Sequence, residues 1–438
     1  MPGKMKLEKT LNSLSLDSGG ILYPYIATKS WAQGFRMEAR LDEPVDYATL
    51  LQAVDRVRHR LPYHFVTLSK SFLQYRLSAF QKTTDILIQQ TDQLCEMFHV
   101  KDDTQPVVRI TYWDDCIGFE LFHAVTDGYG ASIVLKNVLA EYYRVKGETI
   151  PDEDGIFSPD SQLQVNEIRD SFLDVFLRNN GKSNSRGEPA AYQYNHAKAT
   201  GPLRLTTFEL PIAELKKRAS EHRVSVTQYL TAIYTKALSE CAETDQSRKP
   251  VKVEIPLNMR NRFLSYTLRN FSLYFMTCVS PEETRQGIEE ILQKMKQQFR
   301  SGTDLQKLIN DVKANVGQAN TPVFRMLPRR LKHLVLKTGA KIYGERLQTS
   351  PFSNLGVVKM PDALEKHVVS FGFMIGQTRV NTVYAAAATF RDTLYWDITS
   401  VVREDRVEKL LEKTLRECGV PYVRCPARTN REAEAPAD

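Results

Sequence analysis

The chain has 438 residues, 42% hydrophobic and 10% aromatic, enough for one globular enzyme with two cores. Its formal net charge of +7 is modest at this length, which suits a local anion-binding patch and argues against a nucleic-acid-binding protein. The six cysteines lack zinc-ligand spacing and read as reduced, buried thiols, and no apolar core of a signal peptide or run of eighteen apolar residues occurs, so a soluble cytoplasmic protein is expected.

After a poorly patterned start, Phe35 to Leu41 alternates as a strand, and Asp46 caps a helix with Leu50, Leu51, Val54 and Val57 at helical spacing. Short strands are predicted at 65–68 and 73–79, followed by a hairpin of PVVRITYW, a DDC turn and IGFELF whose second arm delivers His123. Residues 132–143 read as a helix ending near Gly147. From about 150 to 200 periodicity is lost around a Gly-Lys-Ser-Asn-Ser-Arg-Gly run at 181–187, which reads as a crossover between halves. The second half opens with the strand LRLTTFEL, a helix from Pro211 and a helix capped by Thr227 whose stripe is Tyr229, Leu230, Ile233, Ala237 and Leu238. Strands VKVEIPL and FSLYFMTCV, helices over 282–300 and 304–316, and a hairpin NTVYAAAATF/RDT/LYWDITS leading into a helix at 405–418 complete it. The two hairpin-to-helix units echo each other, so the halves read as structural relatives.

The chemistry-bearing stretch is FELFHAVTDGYGAS, residues 119–132. A neutral imidazole, with an ordinary pKa of about 6.5, can take a proton from an attacking hydroxyl or amine and return it to a leaving group. Asp127 can set the tautomer of His123, or bind an arginine and hold the turn closed. Gly128 and Gly130 allow close approach and positive φ. Taken alone, the pair also fits an ordinary hydrogen-bonded histidine at a hairpin edge. A dinucleotide loop fails, because Ile133 stands where the third glycine belongs.

His123-Ala-Val-Thr-Asp127-Gly128 resembles the HxxxDG signature of the CoA-dependent acyltransferase superfamily, which includes alcohol acetyltransferases, plant acyltransferases, mycobacterial polyketide-associated acyltransferases, condensation domains and chloramphenicol acetyltransferase. VSVTQYLTAIYTKAL, IPLNMRNR followed by RNFSLYF, and SNLG at 353–356 are similar to later family segments, so the resemblance covers most of residues 20–420. It implies an α+β (mixed α/β) fold of two related chloramphenicol-acetyltransferase-like domains, each a mixed sheet with helices, with a substrate channel between them. The expected division is 1–150 for the half with the motif, 151–200 for a crossover linker, 201–422 for the second half and 423–438 for a disordered tail. By the same resemblance His123 is the general base, Asp127 turns away to pair with Arg260, Gly128 keeps the turn tight, and Ser353 and Asn354 donate near the developing oxyanion. Condensation domains usually show a doubled histidine, whereas Phe122 precedes His123, and the plant Asp-Phe-Gly-Trp-Gly segment has only Ser370-Phe-Gly-Phe-Met as its nearest run. What remains resembles the stand-alone alcohol acetyltransferase branch.

Between Thr321 and Gln348 seven basic residues face one acid, Glu345. Leu331, Leu334, Val335 and Ile342 share one helix face beside a stripe of Arg330, His333, Lys337 and Lys341. That stripe reads as a solvated face, a donor-binding patch for CoA phosphates (Arg330, Lys337, Lys341), a dock for an acyl carrier protein or a contact with an anionic membrane surface. The sequence thus points to an O-acyltransferase moving an acyl group from acyl-CoA, as co-substrate, to a small-molecule alcohol, or to an amine, without a bound cofactor, metal or nucleic acid, and as a monomer. The alternatives are a carrier-protein-dependent condensation-type catalyst using an acyl-carrier thioester, forming an ester or amide, and a non-catalytic binding relative.

Overall fold

In the computed structural model, which describes residues 13–27, 34–79, 88–98, 100, 105–179, 189–194, 200–285, 287–343, 345–376 and 381–431, the alternating segments assemble into three sheets. A five-stranded sheet runs in the order Val368–Ile375, Gly34–Leu41, Cys116–Phe122, Val108–Trp113 and Ile88–Gln90, antiparallel except for the last pair. The largest sheet has the order Ser272–Val279, Val251–Asn258, Ser350–Val357, Val383–Phe390, Thr393–Val402, Thr200–Pro211 and Val423–Arg424, parallel on both sides of Ser350–Val357. Leu14–Ser15, Tyr75–Ala79 and Val66–Lys70 form a small antiparallel sheet. One apolar core gathers around the five-stranded sheet and a second around the largest one, as a mixed α/β chain of two cores should.

Both hairpins close through two-residue turns rather than the expected three. Cys116 pairs with Trp113 and Thr393 with Phe390, and the first turn residues, Asp114 and Arg391, take φ of 53° and 51°. Such turns twist with their strands. Asp46 caps helix Tyr47–Arg60 by accepting from Thr49 N at 2.8 Å. Helix Val226–Thr244 starts earlier than its expected Thr227 cap, because Ser225 and Gln228 form a reciprocal capping box.

Three observations bear on the expected chain division. Strand Val368–Ile375, from the second half, adds to the edge of Gly34–Leu41 in the first sheet, covering backbone groups that would otherwise be an open edge. The 151–200 segment is not a bare linker: it holds helix Ser171–Arg178 and a buried Glu167 paired through both oxygens with Arg60, at 2.8 and 2.9 Å. Its 181–187 run lies outside the described residues. Residues 423–429, expected in a disordered tail, pair along Thr200–Pro211, and Asn430 bonds Leu94 at both its amide atoms. Of the six cysteines, only Cys116 and Cys241 are buried, the other four being partly so.

Candidate active site

Strand Cys116–Phe122 is buried along its whole length and ends directly before His123, so the imidazole stands on a rigid mount. The Tyr23 ring stacks on it at 4.5 Å and 16°, and Phe35 meets it edge-on at 5.1 Å. Phe373, from the crossing strand, packs in turn on Phe35 at 5.9 Å. Burial holds the His123 pKa below the usual imidazole value, against the opposing pull of Asp127 and the Asn270 amide. Its Nδ1 is buried without a hydrogen-bond partner among the described residues. Burial likewise raises the Tyr23 phenol far above its ordinary range, so it stays neutral.

Asp127 faces elsewhere. It caps helix Gly128–Val145 by accepting from Gly130 N at 3.1 Å, takes Phe271 N at 2.7 Å, and receives both Arg260 terminal nitrogens at 2.9 and 3.0 Å. Arg260 is itself fixed by the carbonyls of Thr267 and Arg269 and by Asn258 Oδ1. The two side chains are buried, and a bidentate charge-assisted pair is what makes such burial tolerable. The pair binds the turn after His123 to segment 267–271. Thr126 Oγ1 adds a bond to Leu268 O at 2.5 Å, and His64 Nε2 lies 3.1 Å from the same oxygen.

The glycines divide unexpectedly. Neither Gly128 nor Gly130 has positive φ. A Cβ on Gly128 would meet only ordinary neighbours, Met37 and Phe373 side chains and Leu355 Cδ1 at 3.8 Å. On Gly130 it would lie 2.0 Å from Thr126 Oγ1 and 2.3 Å from Leu268 O, so Gly130 is the one that close approach demands.

Leu355 over Gly128 shows that strand Ser350–Val357 passes beside the motif, which places Ser353 and Asn354 in the neighbouring wall. Ser353 is half-buried and its hydroxyl makes no hydrogen bond among the described residues. The Asn354 amide is engaged, donating to Thr227 Oγ1 at 3.1 Å and accepting from Gly356 N at 2.9 Å, where the strand bulges. It fastens strand to helix. Arg330 and Lys337 are exposed on helix Arg329–Tyr343, and the side chain of Lys341 lies outside the described residues, as does that of Ile342. His333 is not in their stripe: it points inward to Tyr25 O at 3.0 Å and Tyr75 Oη at 2.7 Å.

Sequence reasoning missed Tyr23 and Asp17, and took in Asn270 only as part of the RNFSLYF segment. Asp17 accepts from Gly20 N and Asn270 N and pairs with Arg269 at 3.3 Å; burial pushes its carboxyl up to about 6. This turn sets Gly20, whose added Cβ would lie 2.6 Å from Ala124 O, directly against the residue after His123. The available signal was the Asp-Ser-Gly-Gly run at 17–20, a turn signature without periodicity. No metal-ligating cluster of His, Cys, Asp and Glu occurs among the described residues.

No family model matches the sequence, and no curated protein matches it. Solved structures do. TRI101 of Fusarium sporotrichioides, complexed with coenzyme A and T-2, aligns at TM-score 0.62 and 11% identity over 94% of this chain and 99% of that one. The chain has the two-domain fold of CoA-dependent acyltransferases and condensation domains. The trichothecene 15-O-acetyltransferase TRI3 of the same organism shares this acyltransferase fold at TM-score 0.58 and 12% identity, over 92% and 93% of the two chains. The first condensation domain of the calcium-dependent antibiotic synthetase does so at 0.57 and 11%, over 93% and 95%.

Proposed function

We propose that this chain is an O-acyltransferase in which His123 removes the proton of a small-molecule alcohol as its oxygen attacks the thioester carbonyl of acyl-CoA. The C–O bond forms, the tetrahedral oxyanion collapses, the C–S bond breaks, and the imidazolium returns the proton to the departing thiolate. The single observation that carries this reading is the electrostatic division of the motif. His123 is desolvated and inclined to the neutral, basic form, while Asp127 is spent on Arg260 and helix capping instead of on the imidazole. Direct attack in a ternary complex needs no acyl-enzyme, and no cysteine or serine lies within residues 123–128. Ser353 has the uncommitted hydroxyl in this wall and takes the oxyanion-donor role; Asn354 and Arg260 are positioning residues, and Gly128 flanks the acceptor.

Coenzyme A and T-2 bound to TRI101 support a CoA thioester donor and an alcohol acceptor. The test is release of free thiol from a panel of acyl-CoAs, with and without candidate alcohols. His123→Ala should lower turnover by roughly 10²–10⁴ with the far-UV spectrum unchanged, and the acid limb of kcat/KM should lie below about 6.5, since burial holds the base neutral. A folded His123→Ala protein turning over at the wild-type rate sinks the mechanism.

A further inference from the structure

Helices Pro322–Met326 and Arg329–Tyr343 present an apolar face outward. Phe72, Val323, Met326 and Leu334 are 78%, 79%, 75% and 66% exposed, and Leu331 and Val335 are exposed with them. At about 100° per residue, Leu331, Leu334 and Val335 occupy one arc, opposite the arc on which His333 and Leu336 pack inward, with Arg330 and Lys337 along its margin. The inward face of this helix is the one that carries His333.

The patch is built rather than incidental. The tip of the hairpin between Val66–Lys70 and Tyr75–Ala79 is pinned against the helix start: Arg329 N donates to Phe72 O at 3.0 Å, Arg329 Nε to Ser71 O at 3.1 Å, and Lys332 Nζ to Leu73 O at 2.9 Å. Lys332 is buried, and this desolvation lowers its pKa. Phe72 is thus held out at the start of helix Arg329–Tyr343. Residues 66–79 and 321–343 contain no Asp or Glu, while Arg325, Arg330 and Lys337 ring the apolar tips with exposed positive charge. Exposed apolar tips and exposed cations on stretches that carry no acid are complementary to an anionic bilayer, whose headgroups meet the guanidinium and ammonium groups while the apolar tips enter the acyl boundary.

We propose that the hairpin tip at Phe72 and the outer face of residues 322–338 form a peripheral docking surface for anionic lipid membranes. Docking itself does not depend on the acyl-transfer reading. Its consequence for that reading is geometric: His333 ties this helix to Tyr25, and the same short helix, Tyr23–Ile26, carries the ring stacked on His123. A docked chain holds the histidine turn one short helix from the lipid surface.

The test is sedimentation of the full chain with phosphatidylcholine vesicles, with and without a quarter of phosphatidylserine, at low and high salt. Association is expected with the phosphatidylserine vesicles alone and should weaken with salt. Combined Arg325→Gln, Arg330→Gln and Lys337→Gln should lower the partition coefficient by about a hundredfold, from roughly fivefold per basic residue. Combined Phe72→Ser, Met326→Ser and Leu334→Ser should lower it at least about tenfold, and because these side chains are exposed both variants should keep the wild-type Tm. Failure of the wild-type chain to sediment with anionic vesicles overturns the proposal, whether or not an acidic carrier protein binds in their place. So does wild-type binding by the serine variant, which would mean attraction without insertion.

Discussion

Gly130 lies within a bond length or two of the Thr126 hydroxyl and the Leu268 carbonyl once any Cβ is added, and backbone cannot yield there. Gly130→Ala should therefore destabilise the chain by roughly 1–3 kcal/mol in urea unfolding, the range for overpacking, whereas Gly128→Ala should unfold like wild type. His64 offers a second residue-scale outcome. It is fully buried against Leu268 O, and burial pushes its pKa down to about 3. The unfolded imidazole takes a proton near 6.5 and the folded one does not, so stability present above pH 6.5 is lost as pH falls through that window. The wild type should lose about 2 kcal/mol between pH 7.5 and 5 from this group. His64→Gln keeps an N–H for Leu268 O and should lose correspondingly less. The resemblance of residues 123–128 and 258–260 to a known motif singled out His123, Asp127 and Arg260; the need for glycine at 130 rather than 128 was not legible, because it arises from a carbonyl 138 residues away.

At the scale of elements, one ion pair joins the start of helix Gly128–Val145 to segment 258–271. Removing Asp127 or Arg260 alone leaves a buried charge without its partner, and each single Ala variant should lose roughly 3–5 kcal/mol. The double variant should fall well short of the sum, because the two act as one unit. Equilibrium unfolding of the four proteins measures this directly. Additive losses would place the stabilisation in other contacts. The elements themselves were largely readable: the hairpins, the Asp46-capped helix and the Tyr229–Leu238 stripe follow from period and capping chemistry. Which face of helix Arg329–Tyr343 meets solvent was not legible, because an apolar arc looks the same in sequence whether it meets a core or solvent.

Across the whole molecule, strand Val368–Ile375 and the C-terminal residues add further ties to the first sheet. Arg428 bonds Glu38, which Arg36 also pairs, and Asn430 bonds both backbone groups of Leu94. Ending the chain at residue 422 removes these bonds. We expect a loss of roughly 1–3 kcal/mol for Arg428→Gln, the cost of a charge-assisted bond left unmade to a buried carboxylate, and a larger fall in Tm for the truncation. Unchanged Tm for both would show the return to be unimportant. The sequence alone determined the local chemistry: which strand ends in His123 and which residues alternate or recur by helical period. Only tertiary structure decided which sheet a strand joins, which helix face is covered and which ring stacks on the imidazole. Period and propensity act over a few residues, whereas edge pairing, burial and the stacking of Tyr23 on His123 are contacts between segments whose sequence separation leaves no local trace.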